Sequence, residues 1–173
     1  MNTDAPTQVS ANEFRQAMST VCSPVSIVTT SLAGHHHGTT VSAFMSLSLE
    51  PPAVLISLST SSSILPMVKM SGVLGLNVLG AEQAHLAKHF ATKSPDKFAG
   101  IEYRLDGGLP RLAGSTLWAR CRVTSVVQAY DHDLVYAVLE DVATEDVDPL
   151  LYFRHRFTQP LTAQVPSTAL VSA

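Results

Sequence analysis

The chain has 173 residues, a net charge of −3, and is 46% hydrophobic against 14% charged. That length fits one domain with a sizeable core, and an acidic balance without a Lys/Arg cluster argues against nucleic acid, whose binding rests on phosphate neutralisation. No run of about 18 apolar residues marks a membrane span, and the start MNTDAPTQVSANEF lacks the basic-then-apolar profile of a secretory signal, so a cytoplasmic protein is expected.

In chain order, residues 1–9 are polar and Pro-containing and are expected to be a flexible tail. Ser10 and Glu13 have capping-box spacing, and Phe14, Ala17, Met18 and Val21 follow at helical intervals. Val25 to Thr30 is rich in β-branched residues and reads as a strand. A turn is expected from Ala33-Gly34 through His35-His36-His37-Gly38, with the histidines in a solvated loop. From Thr40 to Leu49, apolar Val41, Ala43, Met45, Leu47 and Leu49 alternate with Thr40, Ser42, Phe44, Ser46 and Ser48, which predicts one strand with an apolar and a hydroxyl-bearing face. After Glu50-Pro51-Pro52 a strand resumes over Ala53 to Ser59, and Ser61 to Ser63 can cap a short helix running to about Met70 and ended by Gly72.

Val73 to Leu79 reads as a buried strand and Ala81 to Ala91 as an amphipathic helix. Residues 92–114, with Gly100, Gly107, Gly108, Pro110 and Gly114, read as a long loop. Strands are expected at Thr116 to Gln128, Leu134 to Val142 and Leu150 to Phe157, and the tail after Gln159 is expected to be loose, leaving one domain at 10–159. Strands that mostly follow strands, with three short helices, argue for an antiparallel barrel or sandwich. Cys22 and Cys121 stand far apart and read as buried thiols.

No G-x-G-x-x-G or G-x-x-x-x-G-K-[ST] motif is present, so a nucleotide would have to be held by hydroxyls and backbone amides. Two hydroxyl clusters offer this: Thr39, Thr40, Ser42, Ser46 and Ser48, then Ser57, Ser59, Thr60, Ser61, Ser62 and Ser63 at an expected helix N-terminus, where free N–H groups favour an anion. The same residues also serve as ordinary strand and cap hydroxyls. His85 and His89 stand one helical turn apart, but Leu86 replaces the Glu of the zinc-protease pattern, and no metal site is assigned. His132, between Asp131 and Asp133 in a bend, is either a solvated turn residue or a ligand contact. Arg154 and His155 either meet a dinucleotide phosphate or face solvent.

Several segments together resemble the short-chain flavin reductases, the reductase components of two-component flavin monooxygenases. They are Phe14 to Met18, Val25 to Thr30, the block Gly38 to Pro52 (G-T-T-V-S-A-F-M-S-L-S-L-E-P-P), Asn77 to Leu79, Asp96 to Gly100, Asp131-His132 and Leu150 to Phe153, in family order across roughly residues 13–157. The resemblance implies a mainly β fold, an antiparallel Greek-key split barrel with a few short flanking helices. It also implies a homodimer, a bound FMN or FAD, NADH or NADPH as reductant, and a separate monooxygenase that receives reduced flavin. Thr39, Thr40, Val41 and Ser42 would cradle the flavin ring, with Ser46 and Ser48 on the same segment. Ser57, Leu58, Ser59, Ser61, Ser62 and Ser63 would take its phosphate, and Asn77, Val78, His89 and Phe90 would complete the pocket. His132 would lie against the nicotinamide without acid–base work, and Tyr152 to His155, Arg154 among them, would flank the rest of the dinucleotide. The chain departs from the family pattern at Tyr130, where a Gly usually precedes Asp-His, at Ser23-Pro24 in place of Thr-Gly, and at Ala137 in place of Gly. Those departures keep open a non-catalytic flavin- or haem-binding protein on the same barrel. An oxidase of the pyridoxamine-phosphate kind would want basic residues near a substrate phosphate, and the first strands offer none.

Overall fold

The structure is a computed structural model and describes residues 9–161; the remainder of the two expected tails lies outside it. The chain opens with helix α1 (Ala11–Ser19), started by the expected capping box: Ser10 Oγ accepts from Glu13 N–H, and Glu13 accepts from Ser10 N–H at 2.9 Å. Then come β1 (Ser23–Pro24), β2 (Ser26–Leu32), β3 (His35–Val41), β4 (Phe44–Leu49), β5 (Pro52–Ser59), α2 (Ile64–Ser71) and β6 (Val73–Leu79). A 3₁₀ turn (Ala81–Gln83) leads into α3 (Ala84–Phe90), followed by β7 (Arg104–Asp106), β8 (Leu109–Arg111), the long β9 (Ser115–Ala129) and β10 (His132–Thr144), and finally β11 (Leu151–Phe153) and β12 (Arg156–Thr158).

Seven strands form one antiparallel sheet in the order β3-β2-β6-β9-β10-β5-β4, curled into a split barrel. The two edge strands, β3 and β4, are consecutive in sequence, yet no ladder joins them among the described residues. The split therefore falls at Ser42-Ala43, where Ser57 N–H donates to Ala43 O at 2.9 Å and ties the crossing to β5.

Both faces of β2 are buried, which explains its continuous apolar and β-branched run. Val28 points into the barrel with Ile56, Leu74, Leu76 and Val135, a core plugged by Ile64, Leu65 and Val68 of α2. Ile27 points the other way, into a second cluster with Leu79, Ala87, Phe90, Phe98, Leu112 and Leu150 beneath α3 and the loop after it.

Four expectations are corrected. His35 to Gly38 are strand, because the reversal is completed by Ala33 (φ 50°) and Gly34 (φ 81°) alone, the positive pair of a two-residue hairpin turn. Thr40 to Leu49 is two strands, and a register shift between Ser46 and Ser48 further breaks the alternation, leaving Met45, Leu47 and Leu49 exposed. Leu150 to Phe157 folds back on itself as the β11–β12 hairpin, turning at Arg154 (φ 47°) and His155 (φ 62°). Cys22 is exposed; only Cys121 is buried, and burial, then the Glu140 carboxylate, push its thiol up to about 12.

Candidate functional site

The hydroxyl-rich segments converge at the split of the barrel. Thr39 to Ala43, from the β3–β4 crossing, face Ser57, Leu58 and Ser59 at the end of β5, with Ser62 beyond, around a groove of about 240 Å³. His132 joins the same groove, since the β5–β10 ladder sets it opposite Ser59. Its Nδ1–H donates to Asp131 Oδ1 at 2.9 Å, and that bond holds the Asp131 carboxyl below its usual range. Nε2 is left as the nitrogen open to a ligand.

Thr40 and Ser42 are also the rim of a second, wider cleft of about 740 Å³. Its far wall is Ala84, Ala87, Lys88 and Ala91 of α3 and the end of that helix, and its floor and flank are Val25, Tyr152, His155, Arg156 and Phe157. Small residues on α3 open the space, and Lys88 and Arg156 give it a cationic rim, with His155 beside them and no carboxylate in the lining. A cleft of this size suits a whole organic ligand, whereas the smaller groove suits only part of one. The two meet at Thr40–Ser42, so two ligand groups could touch there.

Other expected site residues lie elsewhere. Ser63 starts α2 without capping it; its Oγ–H donates to His37 Nε2 at 2.8 Å, because Nδ1–H of His37 is committed to Gly38 O at 3.1 Å. Burial lowers the pKa of His37, and the Lys97 charge adds to this. Ser61 Oγ is bonded to Ser59 Oγ at 2.9 Å, at the groove's edge. Ser46 and Ser48 sit on β4 outside both cavities, Ser48 Oγ accepting from Glu50 N–H at 3.1 Å.

Asn77 is fully buried, its Nδ2 donating to Ile27 O at 3.2 Å and its Oδ1 accepting from Leu112 N–H at 2.9 Å, so both ends of the amide hold the fold. Val78 packs against the barrel core. His89 Nε2–H donates to Lys97 O at 2.9 Å, and Phe90 fills the second core under Gly38, where an added Cβ would lie 2.7 Å from its ring. Lys97 is buried and donates to Phe90 O at 2.8 Å; burial lowers its pKa. Tyr152 lines the wide cleft, whereas Arg154 turns away from it, over the Phe153 ring.

The residues that the sequence reading missed are Lys88 and Arg156. Lys88 shares a helix face with Ala84 and Ala91, and that i, i+4, i+7 pattern was legible as a small-residue groove wall with one cation. Arg156 reaches the cleft only because the chain turns at Arg154-His155, which carries no usual turn residue.

A family model described as "Flavin reductase like domain" matches residues 18–160, most of the chain. The chain belongs to the flavin reductase-like family. Among its relatives, an NADH:riboflavin 5'-phosphate oxidoreductase of Streptomyces pristinaespiralis is 38% identical over 166 residues, covering 93% of this chain and 94% of that protein. The reductase subunit HsaB of a flavin-dependent monooxygenase of Mycobacterium tuberculosis is 33% identical, with 87% and 83% covered. The solved structure of the flavin reductase PheA2 in its native state superposes with a TM-score of 0.83 at 31% identity, covering 89% of this chain and all of that one. That solved relative shares this chain's fold, which in this chain carries the hydroxyl groove at the seam of the barrel.

Proposed function

We propose that this flavin reductase-like chain is an NAD(P)H:flavin oxidoreductase, with residues 10–159 as the working domain. It transfers hydride from NADH or NADPH to FMN or FAD and supplies the reduced flavin to a separate monooxygenase, as a cytoplasmic homodimer. The observation that carries this reading is the meeting of two clefts at Thr40–Ser42, one lined by hydroxyls and backbone, the other rimmed by cations. The donor set fits a flavin nucleotide: Ser59, Ser62 and the start of α2 can take a phosphate through hydroxyl and N–H donors, without a basic patch. Lys88, His155 and Arg156 suit the phosphates of a nicotinamide dinucleotide in the wider cleft.

Bound together, a flavin and a nicotinamide would supply the redox chemistry of hydride transfer. The protein's part would be to hold and orient the two at the shared rim. The Thr39–Ala43 crossing is held rigid by Ser57 N–H on Ala43 O at 2.9 Å and by Thr40 Oγ1 donating to Ala87 O at 2.7 Å, which locks the shared rim to α3. Neither cleft lining contains a carboxylate, and no general acid or base is assigned. His132 is a positioning group for the nicotinamide.

Homodimerisation is supported by apolar side chains that the chain leaves in water: Met45, Leu47 and Leu49 on edge strand β4, and Phe14 and Met18 on α1, which buries no residue. No helix among the described residues is long and apolar enough to cross a membrane.

Mixing the protein with NADH and FMN or FAD and following absorbance at 340 nm tests the reading. Flavin-dependent loss of absorbance supports it, and no oxidation with either flavin would overturn it. Tight flavin binding without NAD(P)H turnover would identify a binding protein instead. His132→Ala should raise the apparent KM for NADH several-fold; an unchanged KM and kcat would remove His132 from the site.

A further inference from the structure

The turn that ends the long β9–β10 hairpin carries a residue for which the fold itself has no use. Tyr130 and Asp131 link Ala129 to His132, which face each other in the ladder. Tyr130 has φ 58°, in the left-handed region where a Cβ crowds the backbone. Its side chain is 99% exposed, and it makes no ring–ring or cation–ring contact among the described residues. A glycine would relieve the strain, and no packing of the ring within the chain offsets it.

The turn is nonetheless held in place. Thr60 N–H and Thr60 Oγ1–H both donate to Asp131 O, at 3.0 and 3.1 Å, clamping it to the 57–63 segment. With His132 opposite Ser59, Tyr130 stands just past the outer end of the hydroxyl groove. The nearest carboxylate, Asp131, is drawn onto His132. A nucleotide anchored by phosphate at Ser59 and Ser62 and continuing outward past the Thr60–Asp131 clamp would come to the hairpin tip that carries Tyr130.

We propose that Tyr130 is the stacking platform for the adenine of a dinucleotide seated in the groove, and so selects dinucleotides over mononucleotides. The inference rests on the reading of the groove as a phosphate-binding site. The adenine is that of FAD, because the phosphates of the nicotinamide dinucleotide are assigned to Lys88, His155 and Arg156 in the wider cleft, and the NADH arm of the experiment tests that assignment.

Flavin fluorescence quenching gives the ratio of Kd values for FMN and FAD, and steady-state assays with FMN give the ratio of KM values for NMNH, the adenine-free mononucleotide, and NADH. Both are measured in the wild type, Tyr130→Gly and Tyr130→Phe. Base–aromatic stacking corresponds to a preference on the order of tenfold. The FMN/FAD ratio should fall from that level to near one in Tyr130→Gly and survive in Tyr130→Phe, with FMN affinity and the NMNH/NADH ratio unchanged. A fall in the NMNH/NADH ratio instead would put the adenine of NADH on Tyr130 and overturn its assignment to FAD. Tyr130→Gly should also melt at a higher temperature than the wild type, so that a lost preference is not a folding defect. Two ratios unchanged in Tyr130→Gly overturn the role of Tyr130 while leaving the reductase reading intact. Absence of flavin quenching and of NADH oxidation in the wild type overturns both.

Discussion

Asn77 is tied to the architecture through both ends of its amide. Family resemblance set it in the flavin pocket, yet its amide bridges β2 and the segment after β8, with both hydrogen bonds inside the protein. Replacing it by Ala would strand the Leu112 N–H in a dry core, while the Ile27 carbonyl keeps its ladder partner, a cost of about 2 kcal/mol. Urea unfolding of Asn77→Ala should show that loss with flavin affinity little changed. A stability equal to wild type and a lost flavin site would instead place Asn77 against the ligand. Gly38 makes a similar point about packing. Its glycine looked like turn chemistry, but it is required because Phe90 leaves no room for a Cβ.

At the scale of elements, the junction between β3 and α2 couples the groove to pH. Neutral His37 holds the Ser63 hydroxyl at the start of α2, and burial, helped by the Lys97 charge, lowers its pKa below the usual 6.5. Between the lowered folded value and 6.5 the unfolded chain binds the proton more readily, so this contribution to stability is complete above about 6.5 and is lost as pH falls below it. Melting curves from pH 7.5 to 5 should decline less steeply for His37→Gln than for wild type; parallel declines would mean that His37 does not carry the effect. Most elements were legible in the sequence: the capping box of α1, α2 with its Gly72 stop, β6, and the β9–β10 pair all follow from periodicity and caps. The misread stretches share a cause, namely turn signals that mislead. Ala33, before Gly34, and the pair Arg154-His155 stand at positive φ, where sequence rules expect Gly or Asn, and the break at Ser42-Ala43 contains neither Gly nor Pro. Conversely Asp106-Gly107-Gly108, a strong hairpin signal, was absorbed into an expected loop. The hydroxyl groove was legible because its residues are close in sequence. The cation-rimmed cleft was not, because Lys88 and Arg156 meet only through the tertiary fold.

For the whole molecule, the acidic chain concentrates its useful positive charge in one cleft and its useful hydroxyls in another, and leaves apolar side chains on β4 and α1 uncovered. The proposed homodimer would cover them, Leu49 at 88% exposed among them. Light scattering should give twice the 18.5 kDa chain mass, and Leu47→Glu, at an exposed position of the single chain, should shift the protein toward monomer. A wild-type mass of one chain would exclude the dimer. The central claim is that hydroxyls and backbone N–H groups at the barrel's seam hold the flavin. It is tested most directly by a crystal structure of the protein with FMN. The expected density has the tricyclic ring along Thr39–Ala43 and phosphate oxygens within hydrogen-bonding distance of Ser59 and Ser62. Flavin density at any other surface, with the Ser57–Ser63 segment making no phosphate contact, would contradict it.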